Sequence, residues 1–90
     1  MNLTDKTIVV TGAGSGMGRE LTLALLKRGA NVAALDIHDV TLKETCTLAG
    51  ENERNVSVHV VDQADKAAVD AVTTDIIDRW KSVDGIINNA

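Results

Sequence analysis

The stretch "VVTGAGSGMGRE", residues 9–20, places glycine at every second position through its middle. An apolar run precedes these glycines, and a pattern typical of a helix follows them. Glycine loses more conformational freedom on folding than any other residue, so a cluster of glycines indicates a backbone that other residues cannot adopt. The glycines are Gly12, Gly14, Gly16 and Gly18. An ordinary strand-to-helix turn is short and does not need four of them, so this turn is predicted to bring its backbone close to a ligand.

Length and composition limit the classes of protein to consider. The chain has 90 residues, which is room for one small domain. Its formal net charge is -4 and its nine Lys and Arg residues are scattered, so we expect no nucleic-acid partner. No apolar stretch reaches the roughly 18 residues of a membrane span, and the N-terminus lacks a signal pattern, so a cytoplasmic location is expected. Cys46 is the one cysteine, which predicts no disulfide and no metal site.

Short runs rich in Val and Ile alternate with helical patterns. Strands are predicted at residues 7–11, 31–35, 56–61 and 85–88. The first helix has an apolar spacing that ends before Gly29, and its members are Met17, Leu21, Ala24, Leu25 and Arg28. A weaker second helix is predicted over residues 39–53, with one face made of Leu42, Cys46 and Ala49. The third helix is marked by Val69, Val72, Ile76 and Trp80.

This alternation predicts the α/β class, with a parallel sheet built from βαβ units. Crossovers between parallel strands are right-handed, which restricts the topology. If the first two helices carry the chain outward and the third returns it beside strand one, the strand order is 3-2-1-4. The predicted fold is therefore the first half of a doubly wound sheet, βαβαβαβ, with its switch point between strands one and four.

The glycine turn then lies at the carboxyl end of strand one, where open α/β sheets bind ligands. Gly12 allows the sharp exit from the strand, Gly16 lets a pyrophosphate approach the backbone, and Gly18 permits close packing of the helix. The amides of Ser15, Gly16 and Met17 begin a helix whose positive end faces the phosphates.

Other glycine-rich patterns fit the stretch less well. A P-loop would need glycine at Met17 followed by Lys and then Ser or Thr, and the pattern G-x-G-x-x-G started at Gly12 also meets Met17. The pattern T-G-x-x-x-G-x-G fits through Thr11, Gly12, Gly16 and Gly18. Gly14 occupies a variable position of that pattern, and we expect it to tolerate alanine.

Asp36 ends strand two and follows Gly18 by 18 positions. A carboxylate at this point can accept hydrogen bonds from the ribose hydroxyls of an adenosine, and it would repel a 2′-phosphate. NAD is therefore favoured over NADP. The other role for Asp36 is to cap the next helix, but Asp39 is better placed for that. His38, when protonated, would offer a positive partner to a phosphate.

With these residues the chain resembles the short-chain dehydrogenase/reductase family. The resemblance runs over residues 6–90 through "TGAGSGMG" (11–18), "LD" (35–36), "VD" (61–62) and "NNA" (88–90). It implies a Rossmann-type fold, with residues 1–90 forming the N-terminal part of a single NAD(P)-binding domain. It also implies that Ile37 and Ser15 stand where NADP-dependent members often carry basic residues, which again favours NAD.

The resemblance implies further contacts with the coenzyme. Asp62 would hold the adenine amino group and Gln63 would lie against the adenine. Asn89 and Ala90 would flank the adenosine ribose, and Asn88 would brace the central sheet.

The family carries out hydride transfer with a Ser, a Tyr and a Lys in the pattern YxxxK, together with an Asn, all downstream of the NNAG motif. This chain contains no tyrosine and stops inside NNAG. We therefore assign it no catalytic residue and expect an inactive coenzyme-binding fragment of a longer, homo-oligomeric NAD-dependent oxidoreductase that acts on an alcohol or carbonyl.

Two alternatives stay open from the residues. One is an S-adenosylmethionine-dependent methyltransferase, although Val10 stands where that enzyme usually has an acid. The other is a stand-alone, non-catalytic nucleotide-binding module.

Overall fold

The computed structural model of the chain describes residues 3–89. Its helices and strands are β1 (Thr7–Thr11), α1 (Gly16–Lys27), β2 (Asn31–Asp36), α2 (Asp39–Leu48), a 3-10 helix (Gly50–Asn55), β3 (Val56–Val60), α3 (Lys66–Trp80) and β4 (Gly85–Ile87). The four strands form one sheet in the order β3-β2-β1-β4, and every pair is parallel. The predicted α/β class and the strand order 3-2-1-4 are confirmed, and each strand ends within one residue of its predicted limit.

The second helix is shorter than predicted. The sequence pattern predicted one helix over residues 39–53, but α2 ends at Leu48 and the chain continues as a 3-10 helix. Gly50 has a φ of 59°, in the left-handed region where an α-helix cannot continue. The prediction of a single long helix was therefore wrong, because a glycine inside the stretch ends it.

Helices cover both faces of the sheet. On the face that α1 and α2 cover, which we call the α1/α2 face, the buried cluster consists of Val10, Ala13, Leu26, Val32, Ala34, Leu42, Ala49 and Val56. On the opposite face, called the α3 face, the buried cluster consists of Val9, Ala33, Leu35, Val61 and Ile76. Neighbouring residues of β1 and β2 alternate between the two clusters, as the pleat of a strand requires.

The first helix packs through a different stripe from the predicted one. Its buried residues are Gly18, Thr22 and Leu26, whereas Met17 is 70% exposed. Thr22 can be buried because its hydroxyl donates a hydrogen bond to the Gly18 carbonyl oxygen at 2.8 Å. The apolar pattern that begins at Met17 was therefore the wrong guide to the inner face. A glycine and a threonine occupy that face because α1 lies close to the end of β1.

The third helix follows its predicted pattern. Ile76 is buried, and Val69, Val72 and Trp80 pack around the α3-face cluster. The helix begins at Lys66 after Asp65, whose carboxylate accepts a hydrogen bond from the Ala68 amide at 3.1 Å. Across residues 3–89, no helix has the length and apolar character that crossing a membrane would require.

Candidate functional site

The glycine turn joins β1 to α1 at the carboxyl edge of the sheet. Gly12 and Gly16 have φ values of 63° and 56°, a conformation that favours glycine. Ser15 is the N-cap residue of α1, in extended conformation, and its hydroxyl makes no capping hydrogen bond. The first amides of α1 are therefore not satisfied by a capping side chain, which leaves them able to donate to an anion.

Three of the glycines have different physical reasons to lack a side chain. A Cβ at Gly18 would overlap the Gly12 carbonyl oxygen and would lie 2.8 Å from Asn89 Nδ2. A Cβ at Gly12 would lie 3.2 Å from the same nitrogen. A Cβ at Gly16 would meet nothing within 4 Å, so its surface stays open to an approaching group. Gly18 is thus required for packing, Gly16 for its backbone conformation, and Gly12 for both.

The space around Gly14 is smaller than the sequence suggested. A Cβ there would lie 2.6 Å from Thr41 Oγ1 and 2.7 Å from Asp36 Oδ2. The prediction that Gly14 tolerates alanine came from its variable position in the glycine pattern, which gives no information about these two side chains. Alanine fits only if both of these side chains move.

Asp36 is the last residue of β2, and its carboxylate is held by backbone amides. Oδ2 accepts a hydrogen bond from the Gly14 amide at 2.8 Å, and Oδ1 accepts one from the His38 amide at 3.2 Å. The expectation that Asp39 caps α2 was wrong. His38 is the N-cap residue, and Asp39, the first residue of α2, forms an ion pair with Lys43 at 3.2 Å.

A cleft of about 280 Å³ lies beside the glycine turn at the carboxyl edge of the sheet. Its lining residues are Gly12, Asp36, Ile37, His38, Val61, Asp62 and Gln63. All but His38 and Val61 were predicted as site residues, so the fold brings together residues from the ends of β1, β2 and β3. Val61 lines the cleft but was not predicted from the sequence. Its amide donates a hydrogen bond to the Asp36 carbonyl oxygen at 2.9 Å. Its position directly before Asp62 was the signal that could have identified it.

A larger hollow of about 550 Å³ lies on the outer surface of α1 and α2. It is lined by Arg19, Asp39, Val40, Lys43, Glu44, Thr47 and Leu48. None of the predicted site residues is among them. The smaller cleft is the better candidate because it lies at the carboxyl ends of the strands, where this class of sheet binds its ligands.

The remaining predicted residues lie around the turn rather than in the cleft. Ser15, Gly16 and Met17 are exposed at the beginning of α1. The Asn89 amide donates to Thr11 Oγ1 at 2.8 Å, and that hydroxyl donates to Asn88 Oδ1 at 3.0 Å. These bonds tie the end of β1 to the segment after β4. Ala90 lies outside the described residues.

A sequence model of the short chain dehydrogenase family matches residues 6–90, nearly the whole chain. The chain belongs to the short-chain dehydrogenase family. This membership agrees with the strand order, with the first half of a Rossmann-type sheet, and with the T-G-x-x-x-G-x-G pattern of the turn. It does not favour the methyltransferase alternative.

Individual proteins that resemble the chain over nearly its whole length are named as dehydrogenases or reductases. The chain is 37% identical over 90 residues to the short chain dehydrogenase/reductase dpmpG of Macrophomina phaseolina, covering 99% of this chain and 51% of the relative. It is 34% identical to a sorbitol dehydrogenase of Cereibacter sphaeroides, covering 100% of this chain and 34% of the relative. The crystal structure of carveol dehydrogenase from Mycobacterium avium in complex with NAD superposes with a TM-score of 0.91 at 26% identity, covering 99% of this chain and 36% of that one. The chain thus spans between about a third and a half of the length of these similar proteins.

Among the described residues of this short-chain dehydrogenase chain, Cys46 and His59 have shifted pKa values, and both lie outside the cleft. Burial lowers the pKa of His59, and Arg79 lowers it further, while Asp75 opposes the shift. Burial and the neighbouring Glu53 carboxylate raise the pKa of the Cys46 thiol. Among residues 3–89, no group of three His, Cys, Asp or Glu side chains is arranged to hold a metal ion.

Proposed function

We propose that this chain binds NAD in the cleft beside the glycine turn, as part of an oxidoreductase that transfers hydride between NAD and an alcohol or carbonyl compound. The observation that carries the proposal is the position of the Asp36 carboxylate. It ends β2, lines the cleft and lies within hydrogen-bonding distance of the Gly14 amide of the glycine turn. A nucleotide that spans the cleft and the beginning of α1 would meet a ribose-binding acid at one end and free helix amides at the other.

The residues present fit such a coenzyme. An ionised carboxylate has about four lone-pair positions, and Asp36 uses two of them for the amides of Gly14 and His38. Two positions remain for the 2′- and 3′-hydroxyls of an adenosine ribose. The open surface at Gly16 and the exposed residues Ser15 and Met17 at the beginning of α1 suit the pyrophosphate.

The preference for NAD over NADP rests on charge. A 2′-phosphate would lie against the Asp36 carboxylate and would be repelled by it. Ile37 lines the cleft with an exposed apolar side chain, and Ser15 is also uncharged. His38 lines the cleft as well and is the one side chain there that could carry a positive charge.

The adenine would lie toward Asp62 and Gln63, which are exposed at the end of β3. Asp62 Oδ1 accepts a hydrogen bond from the Ala64 amide at 2.9 Å, which orients its carboxylate. Asn89, with Ala90 after it, would flank the adenosine ribose from the end of β4.

When bound, the coenzyme supplies the hydride donor or acceptor. The residues of this chain bind and orient it, and none is assigned to proton transfer, since the chain contains no tyrosine. An alcohol or carbonyl substrate is suggested by relatives such as the sorbitol dehydrogenase. Homo-oligomerisation of the whole protein and a cytoplasmic location belong to the same proposal.

Calorimetric titration with NAD, NADP and S-adenosylmethionine tests the proposal. We expect NAD to bind most tightly. Asp36→Ala should weaken NAD binding by about tenfold or more, because a hydrogen bond to a charged group is lost, and should narrow the preference over NADP. Asp39→Ala is the matched control, since it removes a nearby carboxylate that pairs with Lys43 instead. Tighter binding of S-adenosylmethionine would exclude the dehydrogenase proposal, and unchanged selectivity in Asp36→Ala would exclude the ribose role.

A further inference from the structure

One peptide unit of the glycine turn is held at both ends by side chains from outside the turn. The carbonyl oxygen of Ala13 accepts a hydrogen bond from Thr45 Oγ1 of α2 at 2.9 Å. The amide of Gly14, in the same peptide unit, donates to Asp36 Oδ2 at 2.8 Å. Because a peptide unit is planar, a rotation that breaks one of these bonds also misdirects the other.

Arg19 determines the direction in which the Thr45 hydroxyl donates its hydrogen bond. Arg19 Nε donates to Thr45 Oγ1 at 2.9 Å, and a guanidinium can only donate, so the hydroxyl must act as acceptor there. Its own hydrogen is then available for Ala13, with the Thr41 carbonyl oxygen as a second acceptor at the longer distance of 3.3 Å.

Arg19 is itself held in place from α2. Its Nη2 donates to the Thr41 carbonyl oxygen at 2.9 Å and to Glu44 Oε1 at 3.3 Å. The pair with Glu44 is exposed and contributes little, so the carbonyl bond is the stronger constraint. A continuous set of hydrogen bonds therefore runs from Arg19 through Thr45 and the Ala13–Gly14 peptide to the Asp36 carboxylate.

We propose that Thr45 is a positioning residue for coenzyme recognition: its hydroxyl sets the plane of the Ala13–Gly14 peptide, and the Gly14 amide then holds the Asp36 carboxylate ready for the ribose hydroxyls. Thr45 is completely buried and does not line the cleft, so it acts on the coenzyme through Asp36 and touches no part of it. This inference rests on the proposed role of Asp36 in binding the ribose.

The test compares the binding of NAD with the binding of an NAD analogue that carries 2′-deoxyadenosine. The ratio of the two dissociation constants reports the bond between Asp36 and the 2′-hydroxyl, and we expect a ratio of about ten in the full chain. Thr45→Val keeps the shape of the side chain and removes the hydroxyl, and it should lower the ratio by about threefold or more. Thr45→Ser restores the hydroxyl and should restore the ratio.

Thr47→Val is the matched control on the same helix. Thr47 is exposed, and its hydroxyl donates to the Lys43 carbonyl oxygen of its own helix at 3.1 Å. In Thr47→Val, the ratio of the two dissociation constants should equal that of the unchanged chain. If Thr45→Val does not fold, Arg19→Met provides the second variant, because it removes the donor that orients the hydroxyl from a partly exposed position. Arg19→Met should lower the ratio of dissociation constants, as Thr45→Val does.

The outcomes separate the two proposals. If the unchanged chain binds both nucleotides equally, the ribose role of Asp36 fails and the inference fails with it. If the unchanged chain discriminates and Thr45→Val, or Arg19→Met in its place, discriminates equally well, the ribose role stands and the positioning role of Thr45 is overturned. A lower ratio with restoration by Thr45→Ser supports the inference.

Discussion

The two faces of the sheet differ in how completely they are covered. On the α1/α2 face, Val10, Val32 and Ala34 of the sheet are fully buried beneath two helices, and Leu42 of α2 is fully buried against the sheet. On the α3 face, within residues 3–89, one helix packs on the sheet, and an apolar groove of about 390 Å³ stays open beside β4. Ile86, which lies along that groove, is 68% exposed.

This difference follows from the topology. Right-handed crossovers from β1 to β2 and from β2 to β3 place α1 and α2 on one side, whereas the return from β3 to β4 places α3 on the other. The glycine turn is supported by the helices of the more complete face, through Thr45 of α2 and Gly18 of α1. Substitutions in α1 and α2 beside the glycine turn should therefore affect stability and nucleotide binding together. Substitutions in α3, none of whose residues lines the cleft, should affect stability alone.

The largest expected effect separates the two faces directly. Leu42→Ala removes a fully buried side chain and should lower the free energy of unfolding by about 3 kcal/mol. Ile86→Ala removes a mostly exposed side chain and should change it by about 0.5 kcal/mol or less. Urea denaturation followed by circular dichroism measures both. Equal losses would mean that the α3 face is as tightly packed as the α1/α2 face.

The second effect lies within the glycine turn. Gly18→Ala would force a Cβ onto the Gly12 carbonyl oxygen, and we expect a loss of about 2 kcal/mol in unfolding free energy because backbone must move. Gly14→Ala meets only the side chains of Asp36 and Thr41, which can rotate, so it should cost less stability. It should still weaken NAD binding, because the Asp36 carboxylate is displaced. Urea denaturation measures the stability of both variants, and calorimetry measures their affinity for NAD. If Gly14→Ala were the less stable of the two, the expected order of stability would be contradicted.

A third effect sharpens the description of the α3 face. Trp80 Nε1 donates to Ser57 Oγ at 3.0 Å, and the Arg79 guanidinium lies 4.7 Å from the centre of the Trp80 ring. Trp80→Phe keeps an aromatic ring and removes the donor, and it should cost about 1 kcal/mol in unfolding free energy. NAD affinity should not change. A clear loss of NAD affinity in this variant would show that the two faces are coupled.

The smallest expected effect is a pH dependence from His59. Its Nε2 lies 2.7 Å from Ser57 Oγ, and burial lowers its pKa from the ordinary value of 6.5. The unfolded chain then binds the proton more readily than the folded chain, so the stability from neutral His59 is present above pH 6.5 and declines as the pH falls below it. Denaturation midpoints between pH 7 and pH 5 measure this, and His59→Gln should flatten that part of the profile. An unchanged profile in His59→Gln would assign the dependence to other groups.

Much of the fold could be predicted from local patterns. Four Val- and Ile-rich runs separated by helical spacings were enough for the strands and their order, because right-handed crossovers leave few arrangements. The inner face of α1 could not be predicted, since Gly18 and Thr22 are not apolar residues and their burial depends on how closely the helix lies to the end of β1. The end of α2 was also missed, because the effect of Gly50 on the helix depends on its backbone conformation.

In the candidate site, too, some features could be predicted from local sequence and others could not. Asp36 and the glycines were identifiable because a strand end and a glycine turn at the switch point have known chemistry. The narrow space at Gly14 was not identifiable, because it depends on side chains 22 and 27 positions away in the sequence.

By itself, the sequence determined the α/β class, the strand order and the location of a turn suited to a nucleotide, because each depends on residue types at short spacing. Tertiary structure alone decided which side chains surround that turn. The bonds from Asp36 to Gly14 and from Thr45 to Ala13 join residues 22 and 32 positions apart. The first forms because β2 pairs with β1 in the sheet, and the second because α2 packs beside α1 on the same face. No local pattern in the chain specifies the distance between two helices.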